Sequence, residues 1–206
     1  APVGERLFFA GREAACSNVL DRLRHQGRLR AVRVGGGPLK YYQLTEQEAG
    51  RRGLLHRAAP LGSRALPEAI GVLWFAVAGE NRRHRLERGD LEDLFGTDAP
   101  HGPHCIEPGD PPRVYRVYVP GPRTKTATVV ASIETLAEEA ASRPVLATWV
   151  ANRLYGLAVL LQTEAREAKL KGHLRAKRVG EGVRVQIHRI PDAYSLASSL
   201  SGLRRV

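Results

Sequence analysis

Three features of the sequence predict an α+β fold. Gly11 to Thr45 reads as a helix, a tight turn, a strand, a glycine-rich tip and a second strand. Cys105–Glu107 and Arg113–Val119 alternate like two strands around the turn Pro108-Gly109-Asp110-Pro111. Tyr155–Leu161 is wholly apolar and is followed by a helical stretch and an alternating Val183–His188, the order of a βαβ unit. The first feature matches the recognition helix and wing of a winged helix-turn-helix, expected over residues 1–60. The other two predict an α/β domain with a mixed sheet over residues 61–206.

A chain of 206 residues with 43% hydrophobic and 26% charged residues can bury a sizeable core, which excludes a disordered chain. Its formal charge is +11. Residues 1–60 hold eleven Lys and Arg against five Asp and Glu, so +6 of that +11 falls in the first third. Nucleic acid is therefore the favoured partner, and this third the favoured contact region. The two cysteines, Cys16 and Cys105, have no metal-like spacing, so a reducing, cytoplasmic setting without a stapling disulfide is expected. No apolar run approaches the ~20 residues needed to span a bilayer, and no membrane partner is expected. Met is absent even at position 1, which predicts a trimmed chain or one that begins inside a longer gene product.

Within the first region, Cys16, Val19, Leu20 and Leu23 repeat at i, i+3, i+4, i+7 and form one buried stripe. Ser17, Asn18, Asp21, Arg22 and His25 then face outward, and Ser, Asn, Arg and His are groups that donate to phosphates or base edges. Gln26-Gly27 ends the helix with a left-handed cap. Strands follow at Arg28–Val34 and Leu39–Leu44, broken by Gly35-Gly36-Gly37-Pro38. Those glycines are no nucleotide loop, because no Lys-Ser/Thr follows them. Arg12, Ser17, Asn18, Arg22, Arg24, His25, Arg28, Arg30, Arg33 and Lys40 are the expected DNA-binding residues. Thr45-Glu46-Gln47-Glu48 fits a capping box that opens a helix to about His56. A full winged unit needs two further helices ahead of its recognition helix, and residues 1–10 are too few to hold them.

Ala59–Ser63 reads as a linker. Pro67 suits a first helical turn, and Ala69–Ala78 is apolar enough for a buried helix or strand. Helices are expected over Leu86–Phe95, Thr124–Ala141 (with Val129, Val130, Ile133 and Leu136 on one side), Pro144–Leu154, from Thr163 to about Arg178, and over Asp192–Leu200.

Leu7-Phe8, the Leu20-x-x-Leu23…Gly27-x-Leu29 helix and turn, Tyr42-x-Leu44-Thr45 leading to Gly50, and Tyr155–Leu161 with Thr163-Glu164-Ala165 together resemble the replication-relaxation family. These are winged-helix DNA-binding proteins of bacterial plasmids and mobile elements. The resemblance implies a carboxy-terminal part like a degenerate restriction-endonuclease fold and a regulatory role in replication or transcription.

A metal-dependent nuclease is the first rival. It needs an acid at one strand end and a Glu-x-Lys on the next to hold Mg²⁺. Glu107 and Asp110 could supply the acid, but Tyr115-Arg116-Val117 carries neither carboxylate nor Lys, and Glu167-Ala168-Lys169 falls in an expected helix. His101, His104, Cys105 and Glu107 sit in a Pro/Gly-rich loop with no second ligand group, so no metal or other cofactor is expected. Arg166, Lys169, Lys171, Arg175, Lys177 and Arg178 form a basic helix that reads first as a solvated face and second as a phosphate-binding stripe. The sequence thus predicts a non-enzymatic regulator bound to double-stranded DNA, with a homodimer as its expected form for a two-fold site. The second rival is a winged helix that docks a protein partner within a replication or transfer complex.

Overall fold

The stripe of Cys16, Val19, Leu20 and Leu23 produces helix α1, Glu13–His25, with Cys16 buried and the other three half-buried. The structure is a computed structural model that describes residues 8, 12–33, 40–54, 59–62, 65–77, 82–177 and 182–190. The chain divides into two compact units between Leu66 and Pro67, a few residues beyond the expected 60/61.

In the first unit, α1 stops at Gly27, whose φ of +68° is left-handed and costs glycine little. Gln26 N and Arg28 N donate to Arg22 O and Leu23 O, which satisfies the helix's last carbonyls. Strands β1 (Leu29–Arg33) and β2 (Lys40–Leu44) pair antiparallel, in register from Leu29–Leu44 to Arg33–Lys40. The glycine-rich tip between them lies outside the described residues. Thr45 joins the end of the hairpin to the end of α1, because its N donates to Arg28 O at 3.0 Å and its hydroxyl to Gly27 O at 2.7 Å.

Helix α2 (Glu46–Arg51) starts there and stops five residues short of the expected His56. Thr45 Oγ1 accepts from Glu48 N at 3.3 Å, but the reciprocal half of the expected capping box is absent. Glu48 turns to Arg52 instead, and Thr45 N is already spent on Arg28 O. The expected linker is partly tied down as well. Gln43 Nε2 donates to Ala59 O, and Leu61 N donates to the Tyr41 hydroxyl, so residues 59–61 cover one face of the hairpin. That attachment explains why the division falls later than composition suggests.

The second unit opens on α3 (Ala65–Val77), which resolves Ala69–Ala78 as helix, with Pro67 in its first turn. Its Gly71 approaches the sheet so closely that a Cβ would lie 2.9 Å from Val119 Cγ2. Strands β3 (His84–Leu86), β4 (His104–Glu107), β5 (Arg113–Tyr118), β6 (Tyr155–Leu161) and β7 (Arg184–Arg189) form one sheet in sequence order. β3–β4 and β4–β5 are antiparallel, whereas β5–β6 and β6–β7 are parallel.

Leu86, expected in a helix, belongs to β3 and pairs with His104. Helix α4 (Arg88–Phe95) begins after it, because Glu87 and Asp90 form the capping box that sets the start. The two parallel crossovers carry α5 (Thr126–Ser142) with α6 (Pro144–Ala151), and α7 (Glu164–Lys177). The expected terminal helix at 192–200 lies outside the described residues.

β6 is buried along its whole length. Tyr155, Leu157, Val159 and Leu161 join Val129, Val130, Ile133, Leu146 and Leu170 from α5–α7 in one core. Ala158 and Leu160 join Val72 and Phe75 of α3 and Tyr115 and Val117 of β5 in another. A strand covered on both faces must be apolar at every position, which is why its sequence does not alternate. Among the described residues no helix is long and apolar enough to cross a membrane.

Candidate nucleic-acid interface

At 100° per residue, Asn18, Arg22 and His25 fall in one sector of α1 about 60° wide, opposite Cys16. All three are exposed. His25 Nδ1 lies 2.7 Å from Asp21 O, a carbonyl that only accepts. Nδ1 therefore carries the hydrogen, and Nε2 is the nitrogen left to meet a ligand. Ser17 is exposed on the flank of this sector, beside Arg24. Arg24 is exposed too, but its guanidinium is spent in part on Asp21, 3.0 Å away. Arg12 stands exposed just ahead of the helix, and Arg28 is exposed at the turn after it.

The hairpin separates the cations that the sequence groups together. Side chains alternate between the faces of a strand, so Arg30 and Arg33 point to opposite sides. Arg33 and Lys40 face each other across the ladder and are both exposed. Arg30 pairs with buried Gln43 on the face that residues 59–61 cover, and is half-buried. A phosphate contact by Arg30 is thus less accessible than the sequence suggests. The arrangement brings Asn18, Arg22 and His25 together on α1, and Arg33 with Lys40 at the distal end of the hairpin. Arg24 and Arg30 are drawn into internal contacts.

Two arginines that the sequence reading passed over join Arg28 near α2. Glu48, 6% exposed, accepts from Arg52 Nε at 2.8 Å, and Arg51 Nη1 lies 3.8 Å from its other oxygen. The hydrogen bond from Arg52 holds this carboxyl below its ordinary range, and Arg28 adds to the effect. The available signal was the spacing itself, since residues three and four along from a glutamate share its helix face.

The second unit contains a buried polar pair. His104 Nδ1 donates to Gly102 O (3.0 Å), so its Nε2 accepts from the Tyr155 hydroxyl (2.9 Å). Burial lowers the imidazole from 6.5 to about 4 and raises the Tyr155 hydroxyl, so both are neutral over the ordinary pH range. With both ring nitrogens engaged, His104 has no lone pair to offer a substrate. Nearby, Glu139 bridges Arg116 and Arg143, each at 3.0 Å.

The nuclease-like residues are similarly occupied. Glu107 is buried against Arg83 at 2.7 Å, with Arg113 at 3.7 Å, and Arg83 stacks on the Phe75 ring, 4.3 Å from its centroid. Glu167 lies within α7 and pairs with Lys171 at 2.6 Å. His104 and Cys105 are neighbours on β4 and lie in different layers, since Cys105 packs with Tyr115 and Phe75. They therefore cannot share a metal ion. Neither cysteine is in a disulfide, and burial pushes the Cys105 thiol up to about 11.

The basic helix is also partly committed, because Arg166 is held by Gln162 and by Thr124 O and Lys171 by Glu167. Lys169 and Arg175 remain exposed on it. Lys177 closes the helix, and Arg178 lies outside the described residues.

The chain matches no family model, no curated protein and no solved structure.

Proposed function

We propose that this chain binds double-stranded DNA through its first unit, acting as a winged helix with α1 as recognition helix and β1–β2 as wing. The observation that carries this reading is the exposed sector of Asn18, Arg22 and His25 on a helix whose opposite side holds buried Cys16. Asn bonds adenine edges in pairs, Arg bonds guanine or phosphate, and a donor-rich helix face without a carboxylate at its centre suits a major groove. Arg33 and Lys40 at the exposed end of the hairpin suit phosphates beside that groove.

In this reading the second unit is a nuclease-like α/β frame without activity, carried by a regulator of plasmid or mobile-element replication or transcription. Support comes from the engagement of Glu107 by Arg83 and of Glu167 by Lys171, which leaves neither carboxylate open to a metal.

Fluorescence anisotropy with a labelled random duplex, at about 50 and 200 mM salt, tests the proposal. Affinity should fall steeply as salt rises. Each of Arg22→Ala, Arg33→Ala and Lys40→Ala should shrink the slope of log affinity against log salt by about 0.9. Affinity indifferent to salt would sink the reading.

A further inference from the structure

The inference concerns Arg28, Arg51 and Arg52, and it rests on the DNA-binding reading. A lone carboxylate is satisfied by one guanidinium, yet Glu48 is surrounded by three. Arg52 sets both Nε and Nη2 on Oε1 at 2.8 Å, which fixes the plane of its fork. Arg51 approaches Oε2 at 3.8 Å, and Arg28 acts on the same carboxylate from the turn after α1.

The burial is lopsided: the Glu48 side chain is 8% exposed, against 64% for Arg51 and 55% for Arg52. The anion lies underneath and the cations face outward, leaving a local surplus of two positive charges. Arginine has five donors in a rigid fork, so Arg52 retains Nη1 and one Nη2 hydrogen beyond those given to Glu48. The turn and α2 are also fixed to each other, because Thr45 bonds both Gly27 O and Arg28 O.

We infer that Arg28, Arg51 and Arg52 form a phosphodiester clamp at the foot of the hairpin, with Glu48 as the positioning residue that holds the guanidinium groups ready. The ligand class is the sugar–phosphate backbone, so the clamp adds affinity without reading sequence. It would engage the strand at a second point, apart from the α1 sector and the Arg33–Lys40 end.

Two variants of the full chain test this without stranding a buried charge. Arg51→Ala leaves the short Arg52–Glu48 bond in place. Glu48→Gln/Arg52→Ala removes both partners, and the net charge of the chain stays the same. Anisotropy with a random duplex should show the salt slope shrinking by about 0.9 for each variant, with equal loss of affinity across unrelated sequences. Circular dichroism melting should find the first variant as stable as the parent. A slope unchanged in the charge-neutral double variant overturns the clamp while the parent's salt-sensitive binding keeps the DNA reading. If the parent shows no salt-sensitive binding, both fall.

Discussion

Acid should weaken the second unit through a single buried histidine. His104 is fully buried, donates from Nδ1 to Gly102 O and accepts at Nε2 from Tyr155. A proton on Nε2 would set one N–H against the Tyr155 hydroxyl hydrogen, inside the core and near the Arg116 guanidinium. The folded imidazole therefore stays neutral down to about pH 4, against 6.5 when free.

Between those values the unfolded chain binds a proton that the folded chain refuses. Stability must fall as pH falls through that window and level off below it. At roughly 1.4 kcal/mol per decade the contribution is about 3 kcal/mol. Trp74 and Trp149 are the chain's two tryptophans and both belong to the second unit, so their fluorescence in urea follows this unit. His104→Gln cannot titrate. Its unfolding free energy, subtracted from that of the parent at pH 7 and again near pH 4, should give a difference that narrows by about 3 kcal/mol. His188, also lowered by burial, is present in both proteins and cancels. A parent-minus-variant difference that is the same at both pH values would refute the reasoning.

Two further outcomes follow from packing and capping. Thr45→Ala removes the bond to Gly27 O and the cap on Glu48 N, a loss of about 1 kcal/mol, and hydrogen exchange at the Glu48 amide should quicken several-fold; unchanged protection would count against the tie. Leu157→Ala opens a cavity in the middle of β6, where Leu157 is fully buried, and should cost about 2–5 kcal/mol by tryptophan-monitored denaturation. A cost under about 1 kcal/mol would mean that the core closes over the site.

Much of the fold was legible because it depends on local rules. The unbroken apolar run of β6 can only be a strand covered on both faces. The 3.6-residue stripe of α1 can only bury Cys16 and its neighbours. Gly27 ends that helix because the left-handed turn suits it. The hairpin at Pro108–Pro111 pairs β4 with β5 as its turn residues suggest. Leu86 was misassigned because an apolar residue beside a helix start looks like part of the helix. Only the pairing with His104 on β4 makes it a strand.

The candidate interface divides along the same line. The identity of its residues, and the outward side of α1, come from spacing along one helix. Which cations remain available depends on neighbours distant in the chain. Arg30 is covered because residues 59–61 fold back onto Tyr41 and Gln43, whereas Arg33, three positions on, faces the other side. Composition counts Arg28, Arg51 and Arg52 as three charges among many, and folding sets them around one carboxylate. His104 and Tyr155 meet across 51 positions of sequence. Periodicity along a chain encodes which side of an element is apolar. Which polar groups are neutralised, buried or left facing solvent is decided by contacts between elements, and those exist only once the chain has folded.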